Sequence, residues 1–301
     1  MKIIVSGSSG LVGTALIESL RSEGNSISRL VRSGSAGTAD ATSKMVRWEP
    51  PTGSIDLAAL EGADAVVHLA GASVAGGRWT PARKQVLRRS RVDATRHLVA
   101  GLSQLKEKPR VLISASAIGY YGDRGDEALT EVSAPGNDFL AQLCRDWEAE
   151  AAKAEREGIR TVMLRFGIIL AAHGGALQKM LPPFRLGVGG RLGNGRQWMS
   201  WITLDDVVAL IRHAMESDLP RGPVNAVSPN AVTNAEFTSV LAGLLHRAAL
   251  LPAPRFALKI ALGEMAEALL ASQRVTPAKL TSAGYSFRHP QLKEALESVI
   301  D

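Results

Sequence analysis

The sequence predicts an α/β fold in which helices cover both faces of a doubly wound parallel sheet. Short β-branched segments alternate with longer amphipathic ones through the first two-thirds of the chain, a pattern typical of βαβ units. Residues 63–70 are apolar except for Asp64 and His68, as expected for a strand that is covered on both sides. After residue 170, glycines and prolines cluster, which indicates a smaller, partly helical C-terminal region that begins with loops.

The individual elements follow from this pattern in chain order. The predicted strands are Lys2–Ser6, Ser26–Val31, Ala65–Leu69, Arg110–Ala115 and Thr161–Phe166, and the helices between them are Leu11–Glu23, Pro81–Leu105 and Asp138–Glu157. Further helices are predicted at Asp205–Glu216, Asn234–His246, Arg255–Ala271 and Pro290–Val299.

Composition and charge favour a soluble cytoplasmic protein. Hydrophobic residues make up 46% of the 301 residues and charged residues 21%, and no apolar run reaches the roughly 18 residues of a membrane span. Cys144 is the only cysteine, so an intrachain disulfide is excluded, and the N-terminus lacks a signal-peptide pattern. The formal net charge is +6. Because the basic residues are dispersed and lack interleaved aromatic residues, we expect an anionic small molecule rather than nucleic acid as the partner.

A glycine-rich turn follows the first predicted strand and opens the first predicted helix. It consists of Gly7-Ser8-Ser9-Gly10-Leu11-Val12-Gly13. At such a turn one glycine permits the bend, one lets the backbone approach a pyrophosphate, and one allows close packing of helix on strand. We therefore predict that residues 7 and 9–13 bind a dinucleotide at the helix N-terminus of a Rossmann domain. The alternative is a purely structural turn.

Cofactor preference depends on the end of the second predicted strand. NAD-specific proteins usually carry an acidic residue there, whereas an arginine accommodates the 2′-phosphate of NADP. The segment Ser28–Ser33 contains no acid and includes Arg32, whose guanidinium suits a phosphate dianion. The sequence therefore predicts NADP(H), with NAD(H) as the less favoured alternative.

A series of ordered motifs then indicates a family. The GxxGxxG spacing is typical of short-chain dehydrogenase/reductases. The other matching stretches are Val67–Gly71, Ser90–Val92, Ser114–Gly122, Trp147–Glu148, Leu164–Gly167, Gly174–Leu177, Ser200–Ile202, Asp205–Asp206, Pro252–Pro254, Leu262–Glu264, Gln273–Val275 and Pro277–Leu280. With these motifs the chain resembles the epimerase-family proteins of the SDR39U1-like, YfcH-like group, an atypical branch of the extended short-chain dehydrogenase/reductases.

The resemblance implies an extended Rossmann fold with bound NADP(H) and a C-terminal domain of unknown function. We expect a Rossmann domain over residues 1–170, to which residues 200–228 return. A C-terminal substrate region would cover residues 171–301, including a small domain at 250–299. Further cofactor contacts implied by the resemblance are Leu69, Ala70 and Gly71 after the strand at residue 65, Arg91, and Gly167 and Ile168 after the strand at residue 161.

The expected catalytic residues are only partly present. Active members of the superfamily use a Ser or Thr with a Tyr-x-x-x-Lys pair that transfers the proton. Ser116 could fill the serine role, but residues 139–144 contain no tyrosine and no lysine follows at the required spacing. Tyr120 and Tyr121 are replacement candidates, although both could simply pack or recognise substrate. Cys144 is expected to be a small buried apolar residue rather than a nucleophile.

Candidate substrate residues come from two segments. Gln197 and Trp201 lie in a stretch that resembles the substrate-contacting segment of extended relatives, with Arg185, Arg191 and Arg196 available to an anion. Trp79, with Arg78 and Arg83, forms a second candidate rim. Trp201 could equally belong to the core, because apolar residues follow it. The scattered histidines indicate no metal site, and no Gly-x-Ser-x-Gly elbow supports serine hydrolase chemistry.

These observations predict an NADP(H)-dependent oxidoreductase or epimerase-like enzyme. Its small-molecule substrate is unknown, and an anionic or nucleotide-sugar-like compound is favoured. The missing Tyr–Lys pair leaves a non-catalytic NADP(H)-binding sensor or interaction protein as the alternative. It also disfavours a sugar-nucleotide epimerase. A homodimer is left open, because no interface is evident in the sequence.

Overall fold

The computed structural model describes residues 1–32, 43–217 and 221–300. Within these ranges the main sheet has eight strands. They are β1 (Lys2–Ser6), β2 (Ser26–Val31), β3 (Ser43–Glu49), β4 (Ser54–Ile55), β5 (Ala65–His68), β6 (Val111–Ala117), β8 (Arg160–Phe166) and β12 (Gly222–Ala226). Their order is β12-β8-β6-β5-β1-β2-β3-β4, and each neighbouring pair is parallel except β3 with β4.

The strand order reverses between β1 and β5. The chain first builds outward from β1 to β3 and β4, and then returns to place β5 on the other side of β1. Ser6 at the end of β1 pairs with Leu30 in β2 and with His68 in β5. The carboxyl ends of three strands therefore meet at one point, where doubly wound sheets bind their ligands.

Helices cover both faces of the sheet, as the apolar strands require. The helices are α1 (Leu11–Arg21), α2 (Leu57–Leu60), α3 (Pro81–Arg88), α4 (Ala94–Ser103), α5 (Phe139–Ala152), α6 (Gly175–Arg185), α7 (Leu204–Glu216), α8 (Asn234–Leu244), α9 (Arg255–Leu262), α10 (Met265–Leu270), α11 (Ala278–Ser282) and α12 (Leu292–Ile300). Ile3 and Val5 of β1 pack with residues of α1 and α7, whereas Ile4 packs with residues of α4 on the opposite face. The predicted fold class, a doubly wound Rossmann sheet with a partly helical C-terminal region, is confirmed.

Two predicted helices are interrupted. The segment predicted as one helix from residue 81 to 105 contains a π-helical turn over Arg89–Asp93 between α3 and α4. The segment predicted as one helix from residue 255 to 271 breaks at Gly263, whose φ of 62° ends α9. Glycine adopts such a positive φ without steric cost and can therefore end a helix.

In the part of the chain that the structure describes, three short strand pairs lie outside the main sheet. The short strands are β7 (Ala128–Leu129), β9 (Ile168–Leu170), β10 (Trp198–Met199), β11 (Trp201–Thr203), β13 (Val232–Thr233) and β14 (Arg274–Val275). They pair as β9 with β11, β10 with β13 and β7 with β14. A separate apolar core contains side chains of α6, α8 and α12. Across the three described ranges, none of the helices has the length and apolarity needed to cross a membrane.

Candidate functional site

A cavity of about 390 Å³ lies where the strand order reverses. Its lining comes from the turn after β1, the end of β5, the segment after β8 and the start of α6. The lining residues are Gly7, Gly10, Leu11, Val12, Gly13, Leu69, Gly167, Ile168, Ile169, Gly175 and Ala176. The structure therefore brings together residues from three of the predicted cofactor-binding segments. Ser9 is exposed in the same turn but is not part of the lining.

The glycines of the turn are required by close packing. Gly7 has a φ of 68°, and a Cβ there would lie 2.6 Å from the carbonyl carbon of Leu69. A Cβ on Gly13 would lie 2.3 Å from the carbonyl oxygen of Gly7. The Gly10 N–H donates to that same oxygen at 3.0 Å and closes the turn. A side chain at position 7 or 13 would thus push helix and strands apart.

The N-terminus of α1 is open toward the cavity. Gly10 is the N-cap and brings no side chain to cap the helix, so the first backbone N–H groups remain available to an outside acceptor. These amides, together with the positive end of the helix dipole, fit the pyrophosphate of a dinucleotide. The apolar side chains of Leu11, Val12 and Leu69 fit the less polar parts of such a ligand.

The opposite wall of the cavity contains residues that sequence reasoning missed. Helix α6 begins here, and a Cβ on Gly174 would lie 2.6 Å from Cδ1 of Leu11. Gly175 has a φ of 69° and, with Ile169 and Ala176, completes the lining. The Gly174–Gly175 doublet was the available signal, because paired glycines indicate close backbone approach.

Arg91 lies beside the segment that follows β5. Its guanidinium carbon is 3.1 Å from the position a Cβ on Gly71 would take and 5.3 Å from the ring centroid of Trp147. The Ser90 hydroxyl accepts a hydrogen bond from the N–H of Ala72 at 3.1 Å and so ties this segment to the π-helical turn. Burial lowers the pKa of Arg91 from its usual value. Ala70 lies between the lining residue Leu69 and Gly71.

Arg32 follows β2 at the carboxyl edge of the sheet. It is exposed, and the pairing of Ser6 with Leu30 places the end of β2 next to the glycine-rich turn. A ligand that extends from the turn across this edge would meet the Arg32 side chain. Ser33, the last residue of the segment from which cofactor preference was predicted, lies outside the described residues.

Ser116 belongs to a buried charged network. Its hydroxyl donates to Oε1 of Glu148 at 2.6 Å, and Glu148 also accepts two hydrogen bonds from Arg165, each at 2.8 Å. Burial alone would lower the pKa of Arg165, but the hydrogen bond and charge of Glu148 outweigh it and raise that pKa. In this arrangement Ser116 is buried and does not line the cavity.

The two tyrosines differ in exposure. Tyr121 is fully buried, and its hydroxyl donates to Oδ1 of Asn225 at 2.6 Å and accepts from Arg165 at 2.9 Å. Burial raises the pKa of Tyr121 to about 12. Tyr120 is only partly buried, and the Arg165 guanidinium lies 3.5 Å from its ring centroid. The Tyr120 hydroxyl has no hydrogen-bond partner among the described residues.

The predicted substrate residues do not gather at one place. Trp201 is buried in the C-terminal core and donates to the carbonyl of Asn230, so its side chain lies in the core, the alternative suggested by its neighbours. Gln197 is buried and donates to the carbonyl of Leu192. Trp79 is buried against Phe139. Arg185 is exposed at the end of α6.

A second cavity lies beside α8 and shares no lining residue with the first. Its volume is about 550 Å³, and its polar residues include Arg191, Thr238 and Arg247. It is the larger of the two, but it lies away from the strand ends and has no glycine-rich turn. We therefore place the candidate site in the smaller cavity. Within residues 1–32, 43–217 and 221–300, no three His, Cys, Asp or Glu side chains form a group that could hold a metal ion.

Comparison with known proteins is consistent with this geometry. Residues 3–226 match the model of the NAD dependent epimerase/dehydratase family, and residues 253–299 match a domain of unknown function, DUF1731. The chain is 42% identical over 295 residues to epimerase family protein Mb2239 of Mycobacterium bovis, covering 98% of this chain and 96% of that protein.

Solved structures show the same fold. The human epimerase family protein SDR39U1, whose structure was determined with NADPH, is 30% identical and superposes with a TM-score of 0.88 over 99% of each chain. UDP-glucuronic acid 4-epimerase of Bacillus cereus is 17% identical, with a TM-score of 0.78 over 99% of this chain and 98% of that one, and shares the fold alone. This chain therefore belongs to the NAD dependent epimerase/dehydratase family, among the epimerase family proteins that carry a DUF1731 domain at their C-terminal end.

Proposed function

We propose that the protein binds NADP(H) in the cavity at the strand reversal and acts as an atypical oxidoreductase or epimerase-like enzyme. One observation carries the proposal. The N-terminus of α1 has no side-chain cap and opens into the cavity, and at Gly7 and Gly13 the backbone packs so closely that no side chain would fit. The NADPH of the human SDR39U1 structure supports the choice of dinucleotide. The nicotinamide would accept or deliver the hydride.

In this proposal Arg32 and Arg91 contribute the positive charge. Arg32, beyond the end of β2, would meet the 2′-phosphate and favour NADP(H) over NAD(H). Arg91 is a partly buried guanidinium without a carboxylate partner among the described residues, and an anionic oxygen would compensate its burial. The other end of the cofactor would be bordered by Gly71, which lies close to Arg91, and by Gly167 and Ile168, which line the cavity.

The remaining roles concern the reacting oxygen of the substrate. Ser116 would hydrogen-bond it, and Tyr120 or Tyr121 would supply the proton. The geometry favours Tyr120, because its hydroxyl is unpartnered and its side chain is partly exposed, whereas the hydroxyl of Tyr121 is buried in two hydrogen bonds. Ser116 would have to exchange its hydrogen bond with Glu148 for one to the substrate.

The substrate would be a small molecule held between two parts of the chain. One is the Rossmann domain, residues 1–170 together with the returning residues 200–228, and the other is the rest of the C-terminal region 171–301. An anionic or nucleotide-sugar-like compound is favoured because basic side chains surround the segment after β5, including Arg83, Arg91 and Lys179.

The second candidate function is a non-catalytic NADP(H)-binding sensor. Residues 139–144 lack the Tyr and Lys that transfer the proton in active relatives, and the hydroxyls of Ser116 and Tyr121 are both engaged inside the protein. A sensor would need the cofactor site but no proton donor.

Calorimetric titration tests the cofactor assignment. The purified protein, verified free of carried-over nucleotide, is titrated with NADPH and with NADH at fixed salt. We expect tighter binding of NADPH, and Arg32→Ala should weaken NADPH by about tenfold or more while leaving NADH nearly unchanged. Arg156→Ala is the matched control, since Arg156 is exposed just before β8 at the amino edge of the sheet. If neither nucleotide binds the wild type, the proposal is overturned.

A turnover screen separates the enzyme from the sensor. Oxidation of NADPH is followed across carbonyl compounds, including anionic ones. Once a substrate is found, Tyr120→Phe and Ser116→Ala should lower kcat by roughly 10²-fold or more with little change in NADPH affinity. A single confirmed substrate eliminates the pure sensor, whereas retained turnover in both variants would remove the assigned roles.

A further inference from the structure

Two arginines hold the two ends of the segment that follows β5. Arg83, in α3, donates from Nη2 to the carbonyl oxygen of Ser73, and this nitrogen lies 2.6 Å from the position a Cβ on Gly76 would take. Arg91, in the π-helical turn, lies against Gly71. The guanidinium groups thus meet residues 71–76, two residues beyond the cavity-lining Leu69.

No carboxylate neutralises this pair among the described residues. The acidic groups nearby are already engaged, because Lys84 pairs with Glu264 at 2.5 Å and Arg88 with Asp146 at 2.7 Å. The like charge of Arg83 acts on Arg91 directly and adds to the effect of burial in lowering its pKa. Lys179 brings a further positive charge, donating to the carbonyl of Ala75 at 3.3 Å.

Arg83 and the tryptophan that lies against Arg91 also have unused hydrogen-bond donors. The Nε of Arg83 is buried and has no acceptor among the described residues, and the same holds for Nε1 of Trp147, whose ring lies beneath Arg91. Buried donors normally have partners, and like-charged groups held together cost energy unless an anion lies between them. A ligand with negatively charged oxygens between the two arginines would offset their like charge and offer an acceptor to Nε of Arg83.

We infer that Arg83 and Arg91 form an oxyanion-binding site at the edge of the cofactor cavity, suited to a phosphate or carboxylate group. The planar guanidinium groups can each bind two oxygens of such a group. The π-helical turn contributes directly, since it sets the direction from which Arg91 reaches Gly71, and such turns occur often at functional sites. The inference rests on the proposed function in one respect: the bound anion would be either a phosphate of the cofactor or an anionic group of the substrate.

Inorganic phosphate is the probe. Thermal unfolding is followed while sodium phosphate is added, with sodium chloride at matched ionic strength as the reference. We expect a phosphate-specific rise in Tm for the wild type, and an apparent phosphate affinity at least about tenfold weaker in Arg83→Gln and in Arg91→Gln. Arg89→Gln is the matched control, because Arg89 is an exposed neighbour in the same π-helical turn. Arg83→Lys and Arg91→Lys keep the charge and should retain part of the effect if a glutamine variant fails to fold.

Saturating NADPH distinguishes the two sources. Loss of the phosphate effect in NADPH-loaded protein, with weaker NADPH binding in the two variants, assigns the site to the cofactor. Persistence of the effect, with unchanged NADPH binding in the variants, assigns it to the substrate. Equal phosphate effects in the wild type and both variants would overturn the inference, as would no effect in the wild type. These two results do not depend on whether the wild-type protein binds NADPH. The proposed function is decided separately, by the NADPH titration.

Discussion

At the residue scale, a buried ion pair between Arg165 and Glu148 contacts Ser116, one of the candidate catalytic residues. Arg165 is 2% exposed and Glu148 10%, and the two share two hydrogen bonds with ideal lengths. Arg165 also reaches Tyr121 and the carbonyl of Glu131. Because the attraction between such charges must offset their removal from water, the pair contributes to stability only while it is complete.

Removing one partner should therefore cost more than removing both. We expect Glu148→Leu to lower the free energy of unfolding by roughly 3–5 kcal/mol, since it leaves the Arg165 charge buried and alone. The double variant Glu148→Leu with Arg165→Met should lose less than the single variant. Urea denaturation at pH 7 measures this, and a double variant less stable than the single one would contradict the explanation.

The single cysteine should be chemically inert in the folded protein. Cys144 is buried in α5, and burial, with a smaller effect from Glu148, raises its pKa to about 12. Because the thiolate is the reactive form, we expect negligible alkylation by iodoacetamide at pH 8 until denaturant is added. Mass spectrometry measures the modified fraction. Rapid labelling of the native protein would show that α5 opens readily.

At the scale of the elements, local patterns and distant contacts differ in how well the sequence predicts them. The bounds of β1 and β2 match the prediction, because their apolar runs and the turn after β1 are continuous in the chain. Strand β12 was missed, because Gly222 and Pro223 open it. Because β12 is an edge strand, it tolerates such a proline. Strand β3 was missed because its apolar content is low: only Val46 and Trp48 are buried, and three of its seven residues are charged.

In the candidate site, too, local patterns could be predicted from the sequence and contacts between distant residues could not. The glycine-rich turn could be predicted, because the backbone groups proposed to bind the phosphates all lie in one continuous segment. The pairing of Arg165 with Glu148, and the approach of Arg83 and Arg91 to one segment, could not. Those contacts depend on how separate elements pack.

Packing of α1 on the glycine-rich turn can be tested with matched glycine substitutions. Gly13→Ala places a methyl group 2.3 Å from the carbonyl oxygen of Gly7. We expect a loss of roughly 1–3 kcal/mol in unfolding free energy and weaker NADPH binding. Gly243→Ala in α8 meets nothing within 4 Å and should instead stabilise the protein by about 0.4–1 kcal/mol. Denaturation and calorimetry of the two variants measure both effects, and equal behaviour would contradict the packing argument.

At the scale of the whole molecule, one buried histidine links three elements behind the site. Nδ1 of His68 in β5 lies 2.6 Å from the hydroxyl of Ser6 in β1, and Nε2 lies 2.9 Å from the hydroxyl of Thr95 in α4. Complete burial lowers the pKa of His68 from 6.5 to about 4. The ring is therefore neutral in the folded protein at neutral pH.

This burial should make the fold sensitive to acid. Because the folded pKa lies below the unfolded one, the unfolded chain takes up the proton first, and stability is lost as the pH falls from about 6.5 toward 4. The loss attributable to His68 should be on the order of 3 kcal/mol. His68→Gln, which keeps hydrogen-bonding groups but cannot be protonated, should flatten this part of the pH dependence. Denaturation at pH 7.5, 6 and 5 measures the slopes, and identical slopes would argue against the histidine.

The π-helical turn over Arg89–Asp93 gives the long helical segment one residue more than a regular helix would need. The wider turn takes up this residue, so α3 and α4 keep nearly the orientation of one continuous helix. Deleting one residue there would restore a regular turn, and Arg91, which lies inside the turn, would change direction while Arg83 in α3 would not. The direction of Arg91 is thus set by chain length rather than by any single side chain, and we expect point substitutions to keep it while a one-residue deletion changes it.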